Sequence, residues 1–233
     1  MKKVLMFALM LVSMTAIAQK DVTKFLGIPV DGYKEDMKKN LIGKGFTYNA
    51  QNDYFEGEFN GRKSNVFIAT NNNKVWRIMV ADARPCSETD IRIRFNNLCR
   101  QFSKNKKYVA VNFGETDYTI PEDEDISYEM LVHKKRYQAA YSQIPDSTLL
   151  DTTTIQNRIM GELLKKYTQD EIDNPSDEQI EEMDSITEME WLNIAIEIME
   201  KKTVWFTIGE IYGEYYISIF YDNGYNQSDG EDL

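Results

Sequence analysis

The chain has 233 residues, of which 42% are hydrophobic and 28% are charged, a composition typical of globular proteins. This composition excludes a collagen-like, low-complexity or wholly disordered chain. One histidine, two cysteines and no run of metal ligands are poor material for hydrolytic or metal catalysis, so we expect no cofactor and no metal site. The formal net charge of −11 disfavours nucleic acid as a partner, because nucleic acids are bound by Lys and Arg that neutralise phosphates.

The first 18 residues have the pattern of a signal peptide. Lys2 and Lys3 precede an apolar run from Val4 to about Val12, and Ala16-Ile17-Ala18 offers a signal-peptidase site. The run is shorter than the ~20 residues needed to cross a bilayer. Removal of residues 1–18, with both lysines, leaves 215 of the 233 residues and moves the formal net charge from −11 to −13. The sequence therefore predicts a periplasmic or secreted protein with no membrane span after cleavage.

Residues 19–84 are predicted to form a first α+β half. Apolar residues four apart between Tyr33 and Leu41 indicate a short amphipathic helix. Four β-rich pieces follow, and they are divided by turn signals such as Asn60-Gly61 and Asn71-Asn72-Asn73. We expect a helix followed by a four-stranded antiparallel meander.

Residues 85–222 repeat this order with an interruption. Ser87 and Asp90 mark a helix start, and apolar residues at helical spacing extend the helix to about residue 103. A β-rich stretch from 126 to 144 is expected to contain a bulge or a break near 133–136.

Residues 145–202 have helical periodicity and are expected to be an insertion before the last hairpin. Residues 223–233 are expected to form a disordered tail. The predicted fold is thus α+β, a duplicated helix plus four-stranded antiparallel meander with a helical insertion.

Three segments of the chain resemble an uncharacterised family of signal-peptide-bearing proteins from Bacteroidetes-type bacteria. The segments are KFLGIPVDGYKEDMKKNLIGKGF, FEGEFNG and EYYISIFYDN. The doubled order of helix and strands is similar to the architecture of the beta-lactamase inhibitor protein and its structural relatives. The resemblance implies a periplasmic or secreted protein whose fold relatives are mostly binding modules, and it assigns no catalytic residue.

The two cysteines, Cys86 and Cys99, are the only pair available for a disulfide after export. If the helix between them is continuous, a rise of ~1.5 Å per residue places them about 19 Å apart. A disulfide needs Cα atoms closer than ~7 Å. We therefore predict two free thiols, with Cys99 buried.

Three apparent motifs lack features that their sites require. The single histidine, His133, is followed by Lys-Lys-Arg and is typical of a solvated turn. Residues 27–34 lack the Lys and hydroxyl offsets of a phosphate loop. The acidic stretch 170–184 has Glu178 where an EF-hand needs its turn glycine.

Residues 84–107 are basic within an acidic chain, which indicates either internal charge compensation or a binding patch.

Five apolar or aromatic residues are candidates for binding. Tyrosines near predicted strand ends are suited either to strand packing or to recognition. The segment 186–200 presents an apolar helix face that becomes an interface if the core does not cover it. The candidate residues are Tyr54, Tyr212, Tyr215, Trp191 and Ile196.

The first functional hypothesis is an exported binding module of unknown ligand with a protein partner. It would bind through the sheet's open face or the inserted helices. The alternatives are a glycan-binding protein that uses exposed tyrosines and an envelope hydrolase acting on glycan or peptide. Since fold does not fix function, the sequence leaves the three open.

Overall fold

A computed structural model describes residues 20–111 and 117–228. The predicted signal peptide, residues 1–18, lies outside the described residues. The described chain is α+β, with six α-helices and an eight-stranded antiparallel sheet, so the α+β class is confirmed. None of the described helices is both long and apolar enough to cross a membrane.

The described residues form two compact units. The larger contains 22–145 and 188–228, and the smaller contains 20–21 and 146–187. The segment predicted as an insertion, 145–202, is thus divided between the two units, since 188–202 belongs to the larger one.

The larger unit contains all ten strands of the described residues. They are β1 Lys24–Phe25, β2 Ile28–Pro29, β3 Thr47–Asn49, β4 Tyr54–Phe59, β5 Arg62–Asn71, β6 Lys74–Asp82, β7 Tyr108–Ala110, β8 Gln138–Gln143, β9 Thr203–Ile211 and β10 Glu214–Asp222. Its helices are α1 Lys34–Gly43, α2 Glu88–Lys104 and α3 Ile126–Val132. In the rest of the described chain lie α4 Thr152–Leu164, α5 Gln169–Asp173 and α6 Asp177–Glu200, which contributes residues to both units.

The main sheet has the strand order β3-β4-β5-β6-β10-β9-β8-β7. Its middle pair joins β6 to β10, with Val80 opposite Ile219 and Ile78 opposite Tyr221. These two strands are distant in sequence, so long-range pairing holds the sheet together.

Three hairpins of the sheet close with two-residue turns in which both residues have positive φ. Asn60-Gly61 joins β4 to β5, Asn72-Asn73 joins β5 to β6, and Tyr212-Gly213 joins β9 to β10. Such turns match the twist of the strands, and Asn and Gly tolerate the left-handed region. The turns predicted at Asn60-Gly61 and at 71–73 are confirmed.

Helices α1 and α2 pack their apolar faces against one face of the sheet. Met37 and Leu41 of α1 are buried, as are Ile91, Phe95 and Leu98 of α2. Ser87 accepts a hydrogen bond from the Asp90 amide at the start of α2, so the predicted cap is confirmed. The core is largely aromatic, with Phe95 and Phe102 in ring contact with Phe206.

The prediction that 126–144 is β-rich is wrong for its first part, since Ile126–Val132 is α3. The interruption predicted near 133–136 is present, because α3 ends at Val132 and β8 begins at Gln138. The Asp125 carboxylate accepts a hydrogen bond from the Tyr128 amide and caps the helix. The Glu88 carboxylate accepts from the amides of Ile126 and Ser127. These acceptors satisfy amide groups that a helix start leaves unpaired, which favours helix over strand here.

The start of the predicted tail is ordered. Asn223 is buried and donates a hydrogen bond from its side chain to the Val30 carbonyl. The side-chain amide of Asn226 donates to the Asp31 carboxylate and to the Val75 carbonyl. These bonds attach residues 223–226 to the larger unit, in contrast to the predicted disorder, while 229–233 lie outside the described residues.

The smaller unit has a core of its own, formed by Leu163, Tyr167, Ile172 and Met183. The α5 helix begins with a capping box, in which the Thr168 side chain and Glu171 satisfy each other's backbone amides. The helical character predicted for this segment from its apolar periodicity is confirmed by α4, α5 and the start of α6.

The end of β6 carries a buried ion pair between Asp82 and Arg94 of α2. The Arg94 guanidinium donates from Nε at 2.7 Å and from Nη2 at 2.5 Å to the two carboxylate oxygens. Asp82 also accepts a hydrogen bond from the Ile217 amide of β10 at 3.2 Å. Two strands and a helix thus meet at one carboxylate.

We predict that Arg94→Met or Asp82→Ala alone will destabilise the chain by about 3–5 kcal/mol, because each leaves a buried charge without its partner. The double variant, which removes both charges, should lose less unfolding free energy than the two single variants lose together. Urea unfolding of a chain beginning at Gln19 measures the free energies. Lys39→Ala, which breaks an exposed pair with Asp36, should cost less than about 1 kcal/mol. If the loss of unfolding free energy in the double variant equalled the sum of the two single losses, Asp82 and Arg94 would not be energetically coupled.

Candidate binding surfaces

The face of the sheet opposite α1 and α2 is referred to here as the second face. Strand register places one apolar row across it, because residues directly opposite in antiparallel strands share a face. Phe67 pairs with Met79, Met79 with Phe220, and Phe220 with Trp205. Trp205 pairs in turn with Ala140, and the Tyr54 ring of β4 contacts that of Phe67. The full row, called the apolar band, consists of Tyr54, Phe67, Met79, Phe220, Trp205 and Ala140. All six residues are half-buried, and none belongs to the hydrophobic core.

The rings of the band contact one another. Trp205 and Phe220 stack with centroids 4.0 Å apart and planes 15° apart, and Tyr54 lies 5.4 Å from Phe67. Trp205 and Phe220 therefore each have one ring face occupied by the other, which restricts these two side chains before any partner binds.

Arg77 flanks the band on the side toward the end of β10. Its guanidinium carbon lies 5.0 Å from the Phe220 ring centroid and 4.2 Å from that of Trp76. It donates to both oxygens of Asp222 at 2.6 and 2.7 Å, and Asp222 also accepts from Trp205 Nε1 at 2.9 Å. A bulge between β5 and β6 places Trp76 beside Arg77. The cation is thus held rigidly at the border of the band.

A row of polar and small residues borders the other side of the band. It contains Glu56, Asn65, Ala81, Ser218, Thr207 and Gln138. Hydrogen bonds from Asn49 and Tyr54 lower the pKa of Glu56, which keeps this carboxylate charged. An apolar centre with a polar rim is the anatomy of a protein-protein interface.

The structure separates the predicted tyrosines. Tyr54 lies in the apolar band. Tyr215 is buried on the core face, where its hydroxyl lies 2.6 Å from the Ser127 hydroxyl, so it is not available to a partner as predicted. Its ring faces the core because alternate residues of a strand point to the same face, and Tyr215 shares its face of β10 with the buried Ile217 and Ile219.

Tyr212 is at the tip of the β9–β10 hairpin and is 98% exposed. Its φ of 52° is in the left-handed region, which costs a bulky residue about 1–2 kcal/mol. The equivalent position is Asn in the other two hairpin turns. Strained backbone is common at functional sites, so Tyr212 stays a candidate binding residue.

Trp191 and Ile196 lie on α6 and are 38% and 42% exposed. They are accompanied by Met189 at 60% and Leu192 at 55%. The predicted apolar face of 186–200 therefore contains large side chains that the described residues leave exposed.

The sequence prediction missed most of the band, namely Phe67, Met79, Trp205 and Phe220. The available signal was that β6 and β10 are apolar at successive positions, as strands with two apolar faces are. Which of these residues lie side by side depends on pairings between distant segments.

The basic stretch 84–107 is partly compensated inside the larger unit. Arg94 pairs with Asp82, and Arg92 pairs with Glu88 at 3.2 Å. This agrees with internal charge compensation for these two residues.

The single histidine of the sequence, His133, lies at the C-terminal end of α3. The side chain of His133 is 55% exposed and lies 2.8 Å from Glu129, and within the described ranges no group of three His, Cys, Asp or Glu could hold a metal ion. The carboxyl groups whose pKa is shifted there are shifted downward, as at Glu88 and Glu124, where hydrogen bonds and nearby cations outweigh burial.

Comparison of the chain with protein-family models, with curated proteins and with solved structures found no match.

Both cysteines are free, as predicted, and Cys99 is buried. Burial raises the pKa of the Cys99 thiol to about 12, so almost none of it is the reactive thiolate at pH 8. We predict that one thiol, Cys86, will react with Ellman's reagent in the native chain and that two will react in denaturant. In a Cys86→Ala variant the native reaction should be slow. Rapid labelling of that variant would contradict the burial of Cys99.

We also predict that Tyr212→Asn will stabilise the chain by about 1 kcal/mol, because Asn tolerates the left-handed conformation. Urea unfolding measures the difference. Tyr212→Phe is the matched control, since it keeps a bulky ring at the same φ and should leave the stability unchanged. Equal stability of the Asn variant and the parent chain would mean that the turn is not strained.

Proposed function

We propose that the protein is an exported binding module that engages a protein partner through the second face of its sheet. The apolar band carries the proposal. It joins six half-buried side chains from six strands into one row with a polar rim, and Trp, Tyr, Phe, Met and Arg are the residue types enriched at interface centres.

The arrangement of the rings favours a protein over a glycan as the partner. Sugars stack on exposed, flat-lying aromatic faces, whereas Trp205 and Phe220 stack on each other. Arg77 further covers the Phe220 ring, at 5.0 Å from its centroid. The band instead presents ring edges and a methionine, which suit the apolar side chains of a polypeptide, and it is flanked by the fixed Arg77 cation, which suits a carboxylate.

We further propose that the larger unit arose by duplication, as the sequence order predicts. The first repeat would be α1 with β3 to β6, and the second would be α2 with β7 to β10, interrupted by α3 and by α4 to α6. The strand order supports this, since it reads the same from both edges, with the last strands of each repeat in the middle. This arrangement is consistent with the resemblance to the beta-lactamase inhibitor protein and its relatives.

Export remains part of the proposal and is supported by the signal-peptide pattern of residues 1–18. Periplasmic or secreted proteins meet envelope proteins and glycans, so these are the molecules against which binding is to be tested.

The test begins with a chain starting at Gln19 used as bait for cell-envelope proteins of its host, with retained proteins identified by mass spectrometry. The purified partner is then titrated with the parent chain and with Met79→Lys, which places a charge in the centre of the band. We expect the variant to weaken binding by tenfold or more, about the effect of losing one buried apolar side chain.

The matched control is Ile42→Lys on α1, where the side chain is 54% exposed and outside the second face. It should bind like the parent chain, and circular dichroism should show both variants folded. Equal loss in both variants, or binding of polysaccharide that Met79→Lys abolishes, would overturn the proposal of a protein partner on this face.

A further inference from the structure

The last part of α6, residues 188–200, presents a second surface whose chemistry differs from that of the band. Met189, Leu192 and Ile196 are 60%, 55% and 42% exposed. At 3.6 residues per turn their spacing of three and four places them along one side of the helix, over about 10 Å of its length. We call these three residues the α6 stripe.

The opposite side of the helix is buried, so the orientation of the stripe is fixed. Ile194 is 5% exposed and Glu190 is 7% exposed. The stripe is therefore exposed because α6 already uses its other side for packing, and not because the helix end is frayed.

The charged residues of α6 itself are all acidic. Helical spacing places the exposed Glu188 and Glu200 on either side of the stripe. No Lys or Arg occurs between 177 and 200, and the two lysines that follow lie beyond the helix, with Lys202 buried. An aliphatic stripe bordered by carboxylates is complementary to aliphatic side chains bordered by Lys or Arg.

The same charges disfavour a second copy of α6 as the occupant. Two such helices packed through their stripes would bring carboxylates together on both borders, and like charges across an interface oppose association. From this complementarity we infer that the α6 stripe binds a cationic amphipathic helix of a partner protein. This inference does not depend on the band.

The probe for the test is a dye-labelled amphipathic helical peptide made of Leu and Lys, and the readout is fluorescence anisotropy with the chain beginning at Gln19. The control peptide has Glu in place of every Lys. We expect the Lys peptide to bind and the Glu peptide not to bind. Binding of the Lys peptide should weaken as salt is raised, because a Debye length of ~8 Å at 0.15 M falls to ~3 Å at 1 M.

Attraction of a cationic peptide to an acidic chain is not specific, so variants must locate the site. Leu192→Gln and Ile196→Gln retain helix propensity and remove the stripe. Each should weaken peptide binding by about tenfold, the effect of losing one apolar contact. Leu131→Gln on α3, where the side chain is 73% exposed, is the matched control and should have no effect.

Three results would overturn the inference. These are equal binding of the two peptides, unchanged binding by both stripe variants, and concentration-dependent self-association of the chain in sedimentation that Leu192→Gln abolishes. The last would identify a second copy as the occupant. Met79→Lys should leave peptide binding intact, so failure here is distinguishable from failure of the proposed sheet interface.

Discussion

The pairing of β6 with β10 is the constraint on which the larger unit depends. It joins segments up to 145 residues apart, and each end of the pair carries a charged contact. At one end Arg77 binds Asp222, and at the other Asp82 binds Arg94 and the Ile217 amide. Burial makes the second contact costly to break from either side, because a single unpaired charge would be left in the core. Helix α2 is therefore positioned by the same junction that joins the two parts of the sheet.

The junction also creates the second face. Without β6 beside β10, Phe67 and Met79 would form one short apolar cluster and Phe220 and Trp205 another. Register at the junction places Met79 opposite Phe220, so the two clusters become one row across the sheet. A shift of one residue would send these side chains to the core face, because successive residues in a strand point to opposite faces. The surface proposed for binding is thus a direct consequence of the interaction that stabilises the fold.

Local signals in the sequence predicted what depends on neighbouring residues. Ser87 and the apolar spacing after it predicted α2, and Asn60-Gly61 predicted a hairpin, because caps and turns are formed by residues close in sequence. The start of α3 was missed since part of its amide capping comes from Glu88, 38 residues earlier. Tyr215 was misplaced for a similar reason. Its spacing of two from Ile217 shows that both side chains point to the same face of β10. Whether that face is the core depends on pairing with strands that are distant in sequence.

The two surfaces differ in how much freedom their side chains lose on binding. In the band, stacking between Trp205 and Phe220 and the fixed position of Arg77 restrict the rotamers beforehand. A partner there meets a preorganised surface, for which less side-chain entropy remains to be lost. The α6 stripe consists of Met189, Leu192 and Ile196, exposed and without ring stacking, and methionine in particular adapts to irregular partners. The band is therefore suited to selecting one shape, whereas the stripe, with carboxylates on its borders, is suited to selecting a charge pattern and tolerating variation in the apolar residues that accompany it.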